Sequence, residues 1–216
     1  MGSLDCTQWE WHQCPTGMAG AYQSRKGSRS VVVEAVCDED LWIWLLVVGA
    51  PGSLNDIIVM NQSPLYLDVT AGRWPPRDVP FSSNGITRTL PYYLEDGIYP
   101  RYVFLVSPHP MPMTHEAKTF NRLQEAIRKD VERLFGVQTK RFQNALHPGR
   151  CPSVKQLVMT YKAVCILHNM SVEARRDTFL SRRTHARGPH GGGSAGGEGE
   201  GHTGEDAAAA GGHGAQ

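Results

Sequence analysis

The chain has 216 residues, with 22 Lys and Arg against 21 Asp and Glu, a formal net charge of +1. It has no run of 18 apolar residues, which excludes a membrane-spanning helix, and its five cysteines, an odd number without a C-x-x-C pair, exclude a secreted disulfide framework. The start MGSLDC has neither the charged nor the apolar region of a signal peptide, so the expectation is a soluble intracellular protein with reduced thiols.

The charge is unevenly placed. Residues 181–216 contain no aromatic or branched aliphatic side chain and are expected to be a disordered Gly/Ala-rich tail, its histidines His185, His190, His202 and His213 scattered. Residues 184–216 hold one Arg and four acids, which leaves 21 basic and 17 acidic residues for the rest, or +4. A domain of that charge permits a polyanionic partner without requiring one. Residues 1–180 suffice for one domain with a real core.

In chain order, Met1 to Cys6 reads as a strand that Asp5 ends, and the abrupt start suggests that something upstream is missing. CPTGMAGAY reads as a loop. Cys6, His12 and Cys14 could be zinc ligands, but no fourth is evident. SVVVEAVCD and DLWIWLLVVGAPG are β-branched or apolar runs bounded by polar and turn residues, and are expected to be two buried, paired strands. Asp38-Glu39-Asp40 between them is expected to be a solvated hairpin tip. Ser53 is expected to cap a helix SLNDIIVM, where Asp56 is either the distal member of a capping box or a ligand facing a metal pocket. Residues 61–90, rich in Pro, Gly, Asn and Asp, suggest a long surface insertion without regular structure.

PYYLEDGIYP, residues 91–100, sets a carboxylate where a short strand stops. Tyr92, Tyr93 and Leu94 favour a strand, Asp96-Gly97 is turn chemistry, and Pro100 prevents the ladder from continuing. The carboxyl end of a strand in an open sheet covered by helices is where ligands are held. YVFLV, residues 102–106, is a further short strand. Thr114 to Phe142 reads as the longest clear helix, with Thr114 as cap and Phe120, Leu123, Ile127, Val131, Leu134 and Phe135 as its core stripe. Glu132 falls at the margin of that stripe, Arg128 lies one turn earlier on the same side, and Gly136 marks an expected break. Residues 118–150 carry eight Lys or Arg against three acids, so Lys129, Arg133, Lys140 and Arg141 are either phosphate contacts or an ordinary solvated face. Ser153 and Gln156 form an S-x-x-Q box before a last helix whose buried face carries Leu157, Tyr161, Cys165 and His168, the histidine as a packing residue.

Asp5, Asp56, Asp96 and Glu132 are therefore four acids on strands, a helix start and a helix, all oxygen donors of the kind a hard cation requires. LDCTQWEW, KGSRSVVVEAVCDEDLWIWLLVVGAPGSLNDI, YYLEDGIYP, RKDVERLFGVQTKRF and AVCILHNM, in that order across residues 1–176, resemble successive blocks of the PIF/Harbinger transposase-derived nucleases, plant-type transposon proteins of the DDE superfamily. The resemblance implies an α/β, ribonuclease H-like mixed sheet flanked by helices, here N-terminally truncated because the family's upstream helices are absent. It also implies a divalent-metal-dependent DNA endonuclease that hydrolyses phosphodiester bonds. By motif, Asp5, Asp96 and Glu132 match the catalytic acids, and Asp56 matches the aspartate of P-G-S-x-x-D as a further ligand of two Mg²⁺ or Mn²⁺ ions. DNA is the implied substrate, a Myb-like DNA-binding protein the implied partner, and the nucleus, with the cytoplasm second, the implied compartment. The alternative is a decayed or domesticated transposase fragment that acts as an interaction module.

Overall fold

The structure, a computed structural model, describes residues 2–74, 80–147 and 149–186. Its centre follows from the β-branched run SVVVEAVC, which forms strand β2 (Ser30–Cys37) and is buried at every position. A strand with covered faces on both sides must lie inside a sheet. β2 pairs antiparallel with β1 (Gly2–Glu10) on one side and β3 (Ile43–Pro51) on the other. On the far side of β1 lie the short strands β6 (Tyr93–Leu94) and β7 (Leu105–Val106), both parallel to it, giving the order β3-β2-β1-β6-β7.

A parallel neighbour cannot be reached by a tight turn. The chain between β3 and β6 therefore runs through helices α2 (Asp56–Gln62) and α3 (Pro64–Thr70) and a separate hairpin, β4 (Phe81–Ser83) with β5 (Ile86–Arg88). Leu4, Val36, Met60, Leu65, Tyr93, Tyr99 and Phe104 form the core on that face. The opposite face is covered by α4 (His115–Arg141) and α6 (Val154–Ala186), where Val131, Leu134, Leu157, Tyr161 and Val164 pack on Trp9, Val31, Val33 and Ala35. Two helical layers around a mixed sheet are the α/β, ribonuclease H-like architecture expected above.

Tryptophan and amide side chains tie the layers together. Trp9 Nε1 donates to Leu146 O at 2.9 Å and Trp11 Nε1 to Cys151 O at 2.7 Å, anchoring the segment between α4 and α6 to β1. Asn169 of α6 brackets the backbone of Ile43, donating from Nδ2 to its O and accepting from its N, each at 2.9 Å. His168 is fully buried and its Nε2 lies 2.9 Å from Leu41 O, so it is a packing residue, as expected.

Several expectations are corrected. Asp5 does not end its strand, because β1 continues through Glu10, held residue for residue against β2. CPTGMAGAY contains a 3-10 turn and the short helix α1 (Ala19–Tyr22). The cap of α2 is Asn55, whose Oδ1 accepts from Ile58 N at 2.9 Å, so Ser53 and Asp56 form no capping box and Asp56 is the first helical residue. Residues 61–90 hold α3, started by the Ser63 cap and Pro64, and the β4–β5 hairpin; residues 75–79 lie outside the described residues. The tip acids are not merely solvated, since Arg176 Nη2 reaches Asp38 Oδ2 at 3.0 Å and Asp40 Oδ2 at 2.9 Å.

α4 runs unbroken through Gly136. A helical glycine costs about 1 kcal/mol, but the buried Val131, Leu134 and Gln138 on either side hold the helix to the sheet. Its apolar stripe is only half core, because Phe120, Leu123 and Ile127 are exposed. The helical backbone of α6 continues to Ala186, past the boundary expected at residue 180; the remainder of the tail, with His190, His202 and His213, lies outside the described residues.

Candidate active site

The register of the sheet brings the first two acids together. Ser3 of β1 pairs with Leu94, the last residue of β6, in parallel, which leaves Asp96 two residues beyond the strand and near enough to Asp5 for its charge to act on it. The face of β1 that carries Ser3 looks toward α4, since Ser3 Oγ donates to Ile127 O at 3.1 Å. Asp5 is largely withdrawn from water, and burial pushes its carboxyl up to about 6. The Cys6 amide, which donates to its Oδ1 at 2.8 Å, opposes that rise, as does Arg128, whereas the charges of Asp96 and Glu132 add to it. Asp96 is exposed, in the turn expected at the end of β6, and its Oδ1 accepts from Ile98 N at 3.0 Å. Gly97 at φ +89° makes that turn possible.

Glu132 reaches the same place from α4. Its Oε1 is 2.8 Å from Arg128 Nη1 one turn earlier. Asp56 approaches from the other side of the sheet, at the start of α2, where burial raises its carboxyl, Asp96 raises it further and Arg25 lowers it. Among these acids the charges of Asp96 and Glu132 act on Asp5, and that of Asp96 acts on Asp56.

The basic side chains are largely engaged. Lys129 pairs with Glu125 at 3.4 Å, Arg133 with Asp130 at 3.2 Å and with Glu39 O, and Arg141 Nη1 donates to Ser171 Oγ. Lys140 is exposed near the end of α4.

Three neighbours were not singled out in the sequence. Glu95, beside Asp96, is fully buried; its Oε2 accepts from Gly97 N at 2.5 Å and its Oε1 has no partner among the described residues. Gln124 of α4 is buried and its Nε2 donates to Glu95 O at 2.7 Å and Val106 O at 3.0 Å, clamping the ends of β6 and β7. Glu34, in the middle of β2 opposite Cys6, is fully buried, and burial lifts its carboxyl to about 7. The Ser63 hydroxyl opposes that rise, yet neither Glu34 oxygen meets a hydrogen-bond donor among the described residues. A Glu within a β-branched run was the only sequence signal for it.

The donor chemistry of the cleft fits a hard divalent ion, being all carboxylate oxygen with mutually repelling charges. Among the described residues no three His, Cys, Asp or Glu side chains converge closely enough to hold an ion as they stand. The reason is visible in their partners: Glu132 is drawn to Arg128 and Asp96 Oδ1 to Ile98 N. Cys6, His12 and Cys14 form no zinc cluster either; Cys6 Sγ instead accepts from Tyr99 Oη at 3.5 Å.

A mixed sheet of this order, with acids on its first strand, after its fourth sheet position and on a covering helix, defines a ribonuclease H-like domain with an acidic cleft. The chain belongs to the plant transposon protein family, whose model matches residues 1–179. Among curated relatives it is 25% identical over 190 residues to the rat protein named "Putative nuclease HARBI1", covering 84% of this chain and 48% of the relative. It is 26% identical over 193 residues to the human protein of that name, covering 85% and 49%. To "Protein ALP1-like" of Arabidopsis thaliana it is 26% identical over 152 residues, covering 69% and 37%. The chain thus spans about half the length, or less, of these relatives. No solved structure matches it. Among the described residues no helix is long and apolar enough to cross a membrane.

Proposed function

We propose that this domain is a divalent-metal-dependent DNA endonuclease of transposase origin. What supports the reading is the family together with the placement of Asp5 on β1, Asp96 just after the neighbouring β6 and Glu132 on the covering helix α4, where the charges of Asp96 and Glu132 both act on Asp5; neighbouring carboxylates are unfavourable unless a cation offsets them. Asp5, Asp96 and Glu132, helped by Asp56, would hold two Mg²⁺ or Mn²⁺ ions. Bound there, the ions would activate water and stabilise the attacking and leaving oxygens of a phosphodiester in an in-line displacement. Gln124 keeps the Asp96 turn against α4, and Lys129, Arg133, Lys140 and Arg141 supply positive charge along that helix for the DNA backbone. Targeting would come from a separate Myb-like protein, and action on DNA implies the nucleus. The test is plasmid nicking in millimolar Mg²⁺ or Mn²⁺ alongside thermal melting. Nicking that Asp96→Asn abolishes, with a metal-dependent rise in Tm, supports the reading; neither nicking nor a rise in Tm overturns it. If the basic residues neutralise phosphates, replacing all four with Gln flattens the log–log salt dependence of DNA binding, by about 0.9 for each phosphate no longer neutralised.

A second reading, a domesticated interaction module, is favoured by one observation. Val103, Phe120, Leu123 and Ile127 are all exposed and line one groove beside α4. An exposed apolar patch of that kind marks an interaction site. Under this reading Phe120→Asp with Ile127→Asp abolishes partner capture, while Asp96→Asn leaves it unchanged.

A further inference from the structure

Among the described residues, Glu132 is the one proposed ligand whose carboxylate is paired with a cation of the chain itself. The Arg128 side chain is only 13% exposed and that of Glu132 47%, and the two meet at 2.8 Å over one helical turn. An acid placed before a base is the better order for helix stability at this spacing, and here the base comes first, so support of α4 is a weak account of the pair. The same guanidinium also acts on Asp5 across the cleft, opposing the effect of burial on its carboxyl. The geometric contact of Arg128 is with Glu132, an acid proposed to bind a cation, and its side chain is mostly withdrawn from water there.

We propose that Arg128 is a built-in counter-cation of Glu132, which a divalent ion must displace from that carboxylate in order to bind. This rests on the metal-dependent reading above. It makes Arg128 a positioning residue that sets the strength of metal binding: a guanidinium and a divalent ion compete for the same carboxylate, and the pair prevents the cleft from taking up cations weakly and indiscriminately.

The experiment measures Mn²⁺ binding to the full chain by the electron paramagnetic resonance signal of free Mn²⁺, and melting with and without saturating Mn²⁺. Arg128→Gln should bind Mn²⁺ roughly fivefold more tightly, the ratio that corresponds to an ion pair at the upper end of surface values. It should also melt lower than the unmodified chain without metal and level with it when saturated. Arg128→Met repeats the test with the apolar stem retained, and Arg128→Lys, which keeps the charge, should stay within about twofold of the unmodified chain. Equal or weaker Mn²⁺ binding by both neutral variants overturns the inference, as does a loss of Tm of the same size with and without Mn²⁺, the mark of a merely structural role. Should the unmodified chain bind no Mn²⁺ that Asp96→Asn removes, the metal-dependent reading itself fails and this inference with it.

Discussion

Asp5, half-buried, and Glu34, fully buried, are carboxylates one residue apart in register, since Asp5 pairs with Ala35 and Cys6 with Glu34, so they face opposite sides of the sheet. Both carboxyls are raised in the folded protein, to about 6 and about 7, chiefly by burial. A group whose folded pKa is raised binds more protons folded than unfolded, so it adds stability at low pH that is lost as pH rises through the folded value. Loss from Asp5 falls between about pH 4 and 6, and from Glu34 between about pH 4.5 and 7. Asp5→Asn should therefore stabilise the protein at pH 8 by on the order of 2 kcal/mol, with the gain vanishing near pH 4. It should also remove any metal-dependent rise in Tm. Glu34→Gln should stabilise by a similar amount at pH 8 but leave the metal response intact, because Glu34 is perturbed by burial and Ser63 and not by any of the four proposed ligands. Urea melts at pH 4, 6 and 8 decide both; a loss of stability at pH 8 in Glu34→Gln would mean that its ionised form has a partner after all. Asp5 was legible in the sequence as a strand acid, but was expected at the strand's end, whereas β1 runs on through Glu10. Glu34 was not legible, because a single Glu in a β-branched run gives no sign of whether it faces water or another layer.

Elements follow the same division between local and distant causes. β2, β3, the Thr114 cap and the Ser153–Gln156 box were readable because each depends on residues within a few positions: Thr114 Oγ1 accepts from Ala117 N at 3.2 Å and Ser153 Oγ from Gln156 N at 3.3 Å. The continuation of α4 through Gly136 and of β1 through Glu10 depends on what packs against them from elsewhere in the chain, which local signals do not carry. The stripe on α4 misled for the same reason. Helical periodicity identifies an apolar face, but only the sheet's limited width decides that Val131 and Leu134 are covered and Leu123 and Ile127 are not. Gln124 sits between these two halves and was invisible as a clamp, because its acceptors, Glu95 O and Val106 O, belong to strands distant in sequence. Gln124→Leu leaves two buried carbonyls without that donor and should cost about 1 to 3 kcal/mol. A fall in Tm with unchanged Mn²⁺ affinity would show that the Asp96 turn keeps its place without the clamp; the expectation is that affinity falls as well.

The acidic cleft is a property of the whole molecule, since Asp5, Asp56, Asp96 and Glu132 come from a central strand, two segments beyond it and a helix on the opposite layer. The four acids could be named from motifs, but the approach of Asp96 to Asp5 depends on β6 pairing in parallel with β1, a pairing between residues 2–3 and 93–94 that no local pattern dictates. A cation held by those four should therefore resist opening of three segments at once: the middle of β1, the turn after β6 and the Arg128–Glu132 turn of α4. The β4–β5 hairpin offers a control within the same chain. Its sheet is separate, most of its residues are exposed, and its own pairing supplies its only ladder. Hairpin amides exchange by local opening and should be indifferent to a ligand held elsewhere. Hydrogen exchange with and without millimolar Mn²⁺ should accordingly show slowed exchange in peptides covering residues 4–7, 95–98 and 128–132, and none in peptides covering 81–88. Slowing confined to α4 would mean that the ion sits on the helix acids alone, and protection of the hairpin would mean that it binds outside the cleft.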